Sequence, residues 1–162
     1  MSRRQRGPIK AGVFVAAVAL VFFLTTGFPA WAALGGDVAS IQADQLHMQG
    51  SRKMMAADSY TVHEIQAASS TVVREYASSN GKVFAVTFHG PWPPDLRQLL
   101  GNYFDQYSRA MHAQNSLRRG RHPVMIDEPG LSVHIGGHPR AFVGKAYAPD
   151  LLPTGVRAED IQ

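Results

Sequence analysis

Two runs rich in β-branched and aromatic residues, Thr71 to Ala77 and Lys82 to Phe88, stand on either side of Ser78-Ser79-Asn80-Gly81. An Asn-Gly step between such runs is a strong short-range signal for an antiparallel hairpin. The hairpin cannot stand alone, so the flanking chain must supply further strands or a helix to cover its apolar side. Its register is set at the turn. A two-residue Asn80-Gly81 loop places Glu75 opposite Val86, on the face carrying Phe84 and Phe88. A three-residue loop with Gly81 as a bulge instead pairs Tyr76 with Phe84 and Val72 with Phe88, leaving Glu75 with Ala85 and Thr87. The second is preferred, because it buries aromatics together and keeps the carboxylate off the core.

The neighbouring segments supply the rest of the fold. Pro91, Pro93 and Pro94 end the sheet run, and from Asp95 the residues Leu96, Leu99, Leu100, Tyr103, Phe104, Tyr107 and Met111 fall at helical spacing. Arg97, Gln98, Asn102, Asp105, Gln106 and Arg109 occupy the other side, so the pattern predicts one amphipathic helix ending near Leu117, before Gly120 and Pro123. Leu131, Val133 and Ile135 alternate with Ser132 and His134, and Gly136-Gly137-His138-Pro139 turns the chain into Ala141 to Tyr147, a second hairpin. Tyr60 to Ile65 is strand-like. Asp37 to Gly50 predicts a short helix capped by Asp37, with Val38, Ile41 and Leu46 as its apolar contacts. Ser51 to Ser59 shows no period and is read as a connection, and Pro149 to Gln162 as irregular chain on the surface. The sum is an α+β domain: an antiparallel sheet of about four to six strands with one long helix across a face.

Residues 1–32 read differently. A cationic start with Arg3, Arg4, Arg6 and Lys10 precedes the apolar run Ala11 to Leu24; Thr25, Thr26, Gly27 and Pro29 then lead to Ala30-Trp31-Ala32, a small-x-small site for cleavage before Ala33. This predicts a signal peptide over 1–32 and a single domain over 33–162, exported by general secretion to the periplasm or beyond. Arg6-Gly7-Pro8 does not fit a twin-arginine signal. The alternative is an uncleaved inner-membrane anchor over residues 11–34, against which Pro29 and the peptidase site argue.

Four of the 16 basic side chains and none of the 12 acids lie in that leader, so the remaining 130 residues carry twelve of each sign. The mature chain is formally neutral, and the sequence pI of about 9.7 gives no ground for a nucleic-acid partner. Arg118, Arg119 and Arg121 read as the solvated end of a helix. The chain contains no cysteine, which excludes disulfides, a thiolate metal site, a thiol nucleophile and a lipidated N-terminal cysteine.

Several phrases recur together in one family: Ala32-Ala33-Leu34-Gly35-Gly36, Arg74-Glu75-Tyr76, Asn80-Gly81-Lys82-Val83-Phe84-Ala85-Val86, and Gly90-Pro91 with Pro94-Asp95-Leu96 and Leu99-Leu100-Gly101. Gly137-His138, Arg140-Ala141-Phe142 and Pro153-Thr154-Gly155-Val156 follow in the same order. In these the chain resembles the exported bacterial proteins of domain-of-unknown-function family 2844, over essentially the whole mature region. Thr87-Phe88-His89 departs from the family, which has a tryptophan-containing phrase there. The resemblance implies export and a single domain, and supplies no activity, cofactor or catalytic residue.

The candidate chemistry is sparse. All seven histidines lie after the leader, and His134 with His138, joined by Asp127 or Glu128, is the sharpest metal-site pattern; its turn context leaves the geometry open. Glu75 and His89 form a possible acid/base pair if the hairpin brings them to one face. No G-x-S-x-G phrase marks a hydrolytic serine. Trp92, within Gly90-Pro91-Trp92-Pro93-Pro94, reads either as a stiff binding anchor or as a plug over one end of the core. No cofactor is implied. The leading expectation is a non-enzymatic envelope module contacting an unknown partner through a sheet edge or the Trp92 loop; the alternative is a metal-dependent enzyme using His134 and His138.

Overall fold

The computed structural model of the protein describes residues 34–117 and 123–162. The leader with its cleavage site, Arg118, Arg119, Arg121 and His122 lie outside the described residues. No helix among the described residues is long and apolar enough to cross a membrane.

The chain is an α+β single domain built on one antiparallel seven-stranded sheet. Helix α1 (Val38–His47) precedes four strands, β1 (Ser51–Ala56), β2 (Tyr60–Gln66), β3 (Val72–Ser78) and β4 (Val83–Gly90). Helix α2 (Leu96–Leu100), a 3-10 turn (Gly101–Tyr103) and helix α3 (Phe104–Leu117) follow, then β5 (Val124–Glu128), β6 (Leu131–His138) and β7 (Ala141–Tyr147). The strand order is β1-β2-β3-β4-β7-β6-β5. Two meanders, β1 to β4 and β5 to β7, are therefore joined where β7 lies beside β4.

The sheet is wider than the sequence pattern predicts, and two of its strands lie at its edges. β1 occupies the segment read as a connection, but it is exposed at every position except Met55, so no alternation marks it. β5 forms the other edge. The helix expected from Asp95 starts there: the Asp95 carboxylate accepts from the backbone N–H groups of Arg97 (2.9 Å) and Gln98 (3.3 Å), the N-cap arrangement. It is not continuous. Gly101 takes φ 48°, a conformation open mainly to glycine, and this breaks the ladder and re-aims α3. Leu99 therefore joins a cluster with Ile41, Ile65, Val73, Val86 and Phe88. Leu100 joins a second one with Ile126, Leu131, Val133 and Ala146, covered by Phe104, Tyr107 and Met111.

The register of the β3–β4 hairpin combines both sequence alternatives. Ser78 and Lys82 close a three-residue loop (Ser78 N to Lys82 O 2.9 Å), with Gly81 at φ 79°. A β-bulge then follows, since Ala77 pairs with Val83 but Tyr76 pairs with Ala85, leaving Phe84 as the extra residue. Beyond it Glu75 faces Val86, as in the two-residue register. The bulge divides the apolar residues of β4 between both sides of the sheet. Val83, Val86 and Phe88 join the helix-covered face, while Phe84 packs with Tyr76, Ala85 and Ile161 on the other. Each such burial contributes about 1.5 to 3 kcal/mol. Glu75 shares its side of β3 with Val73 and Ala77, so it is buried beneath α1, against the expectation that it stays off the core.

On the opposite face, the C-terminal tail lies across β3 and β4. Its 3-10 turns (Pro149–Leu151 and Ala158–Asp160) lead to Gln162, whose backbone oxygen accepts from the Tyr76 hydroxyl, Thr87 Oγ1 (3.2 Å) and Arg74 Nη1 (3.2 Å). Lys145 Nζ donates to Ala158 O (2.9 Å). The tail is thus a strap held by named side chains and not loose chain.

Candidate functional site

The unusual chemistry of this protein is inside it. α1 turns Ser40, Ile41 and Asp44 toward the sheet; Ile41 and Asp44, three residues apart, share that face, while Leu46 is turned out and 69% exposed. Leu46 is therefore not one of the helix's core contacts. Asp37 occupies the N-cap position without a side-chain capping bond, its carboxylate pairing instead with Lys82 Nζ at 2.7 Å.

Asp44 has no exposed surface and Glu75 retains 1%. The two carboxyl groups lie near enough for each to act on the other's proton affinity. Gln98 Nε2 donates to Asp44 Oδ1, but among the described residues no N–H or neutral O–H donor reaches Asp44 Oδ2 or either oxygen of Glu75. A hydrogen bond between two carboxyl groups requires a proton on one of them. Burial raises the Asp44 pKa from 3.8 to about 6. Burial, followed by the Asp44 charge, raises Glu75 well above its ordinary 4.5. His63 stands opposite Glu75 on β2, 4% exposed and with Nδ1 unpartnered; burial, then the Arg52 charge, lowers its pKa. A cleft of about 240 Å³ lies beside this group, lined by His47, Met48, Thr71, Pro94, Asp95 and Gln98.

The residues singled out from sequence are placed elsewhere. His134 and His138 lie on one extended strand, since β6 runs on through His138 and the turn comes after it, with His138 paired to Ala141. Four residues of strand separate them by roughly 13 Å, too far for one ion to bind both. Among the described residues no group of three or more His, Asp or Glu side chains forms a metal cage. His134 Nε2 meets Asp127 at 3.1 Å, and Ser132 Oγ donates to the same carboxylate at 2.7 Å. This Ser-His-Asp cluster lacks triad geometry. The serine proton is committed to Asp127, and one imidazole nitrogen faces both partners, whereas a relay uses both nitrogens. Glu75 and His89 are on opposite faces, because the bulge puts His89 on the tail side, where it is exposed.

Trp92 is 59% exposed, so its ring does not plug the core. Its loop is nevertheless fixed. Thr71 Oγ1 donates to Trp92 O at 2.7 Å, and a Cβ at Gly90 would stand 2.6 Å from Thr71 Cα, so only glycine permits this approach. On the tail side a groove of about 450 Å³ is bordered by Thr87, His89, Met125, His134, Val143 and Lys145. Met125 and Val143 are each more than half exposed there.

Sequence reasoning missed Asp44 and misjudged Glu75. The helical spacing of Ile41 and Asp44 carried a signal for the first; nothing in the spacing of β4 announced the bulge that sets the second.

No curated protein and no solved structure matches the chain. The family described as "Protein of unknown function (DUF2844)" matches residues 30–161, a span that takes in both meanders, the helices over them, the buried acid pair and the strap as far as Ile161. The chain belongs to that family.

Proposed function

We propose that the protein is an exported, non-enzymatic binding module of the bacterial envelope, and that Trp92 is its anchor on a protein partner. The observation carrying this reading is the combination of a largely exposed indole with a backbone pinned at its base: Trp92 is 59% exposed while Thr71 Oγ1 holds its carbonyl at 2.7 Å. A large side chain on a loop that is already ordered loses little entropy on docking, and tryptophan is among the residues that dominate interface energetics. Prolines 91, 93 and 94 stiffen the same loop. Export is supported by the three-part leader; cleavage before Ala33 would leave Leu34, a core residue that is 1% exposed, second in the mature chain.

Two measurements test the reading. The intact mass of the accumulated protein should equal that of residues 33–162, and a full-length mass defeats cleavage. A photoreactive residue at Pro93, introduced in cells, should give a discrete adduct that disappears with Trp92→Ala and is not formed from Lys53 on β1. Adducts that persist in Trp92→Ala, with its circular dichroism unchanged, overturn the anchor.

A further inference from the structure

We propose that the Asp44–Glu75 contact is a proton-operated latch, holding α1 on the sheet in acid and releasing it as the pH rises. One carboxyl comes from α1 and the other from β3, so their contact is a tie between two elements. It forms in the core, where Asp44 Oδ2 and both Glu75 oxygens have no other donor among the described residues. With one proton between them the pair is a carboxyl donating to a carboxylate. When that proton passes to solvent, two like charges face each other out of water, the least favourable state either can adopt.

The surrounding groups do not relieve that state. On α1, His47 lies near enough to favour the Asp44 charge, while Asp95, the N-cap of α2, opposes it; Gln98 of α2 contributes a neutral amide already committed to Oδ1. From β1, Arg52 acts on Glu75, but neither carboxylate has an ion-pair partner among the described residues. β2 supplies His63, whose burial disfavours its charged form, and β4 supplies Val86, which is apolar. The pair can shed the strain by moving the middle of α1, whose backbone ties to the sheet side lie at its two ends, Val38 N to Gly81 O (3.0 Å) and Ala68 N to Met48 O (3.1 Å). Such a movement opens the neighbouring cleft, because His47 and Met48 are part of its wall.

Hydrogen exchange of the protein, in the form its host accumulates, tests the latch at pH 5 and pH 8 after correction for intrinsic rates. Protection of the Ser40–His47 amides should fall by at least about tenfold at pH 8, since a proton held one pH unit more tightly in the closed form favours that form by a factor of ten, while β3 and β4 hold. Glu75→Gln should flatten the response. Unchanged α1 protection in the wild type overturns the latch, and so does a pH response that survives in Glu75→Gln. If that variant does not fold, Asp44→Asn gives the same reading with the same two outcomes. His63→Gln separates the remaining titration, whose sign is opposite. These outcomes are independent of Trp92 and of export.

Discussion

The carboxyl groups of Asp44 on α1 and Glu75 on β3 meet inside the core, with a glutamine as their sole neutral donor among the described residues. Both groups bind protons more tightly in the folded chain than in the unfolded one. Folding is therefore favoured by acid over the interval in which only the folded state keeps its proton. For Asp44 that interval runs from about pH 3.8 to about pH 6, and for Glu75 it begins near 4.5 and extends well above.

The first prediction is that the urea midpoint rises when the pH is lowered from 8 toward 5. His63 works against this, since its depressed pKa makes the unfolded state the better proton acceptor below 6.5. His63→Gln should accordingly steepen the rise. Below pH 4 the trend reverses as Asp127, held under 3.8 by the Ser132 hydroxyl, is protonated. A midpoint that falls monotonically from pH 8 to 5 in His63→Gln contradicts the burial of the pair.

Gly144 sits under the ring of Phe88, where an added Cβ would come within 2.2 Å of the ring. Gly144→Ala should destabilise the domain by about 3 kcal/mol, the upper part of the range for overpacking a filled core. Denaturant unfolding measures this directly. Phe88→Leu in the same chain should recover part of the loss, and additive effects of the two substitutions would exclude the contact as its cause.

Tyr76→Phe removes the hydroxyl that both accepts from Gln162 N (3.2 Å) and donates to Gln162 O. The expected cost is about 1 kcal/mol, concentrated in the tail. Limited carboxypeptidase digestion should trim the residues after Pro153 faster in the variant, with the sheet amides unaffected. Equal trimming rates would mean that the hydroxyl does not hold the strap.

Thr71→Val keeps the shape of a buried side chain, 1% exposed, and deletes its bond to Trp92 O. Stability should fall by about 1 kcal/mol. In residues 33–162, where Trp92 is the sole tryptophan, its anisotropy should drop as the loop loosens. An unchanged anisotropy would show that the prolines alone fix the loop.

The parts of this fold that were legible in the sequence are those where local chemistry and tertiary packing agree. Asn80-Gly81 closes its turn, Asp95 starts its helix, and Leu131 to Tyr147 forms the predicted hairpin. β1 was not legible, because an edge strand with almost every residue exposed carries no alternating pattern. The helix after Asp95 has the expected apolar spacing, yet the break at Gly101 depends on a backbone angle that spacing does not encode. Glu75 is the most instructive case. The turn behaves as read, but one bulged residue, Phe84, moves Val86 and Phe88 to the side of Glu75 and so makes that side a core. Asp44 lay in plain view at helical spacing from Ile41, and a lone acid on an apolar face was the signal available.

The adjacency of β4 and β7 bears on how the polypeptide is made. Ala85 pairs with Tyr147 and Gly90 with Phe142, so β4 has one unsatisfied side until more than fifty further residues have been synthesised. Until then the nascent chain presents a strand whose six residues Val83–Phe88 are destined for complete burial, a template for pairing with the wrong molecule. Its late-arriving central partner also slows folding relative to a fold of purely local pairings, because the contact is distant in sequence.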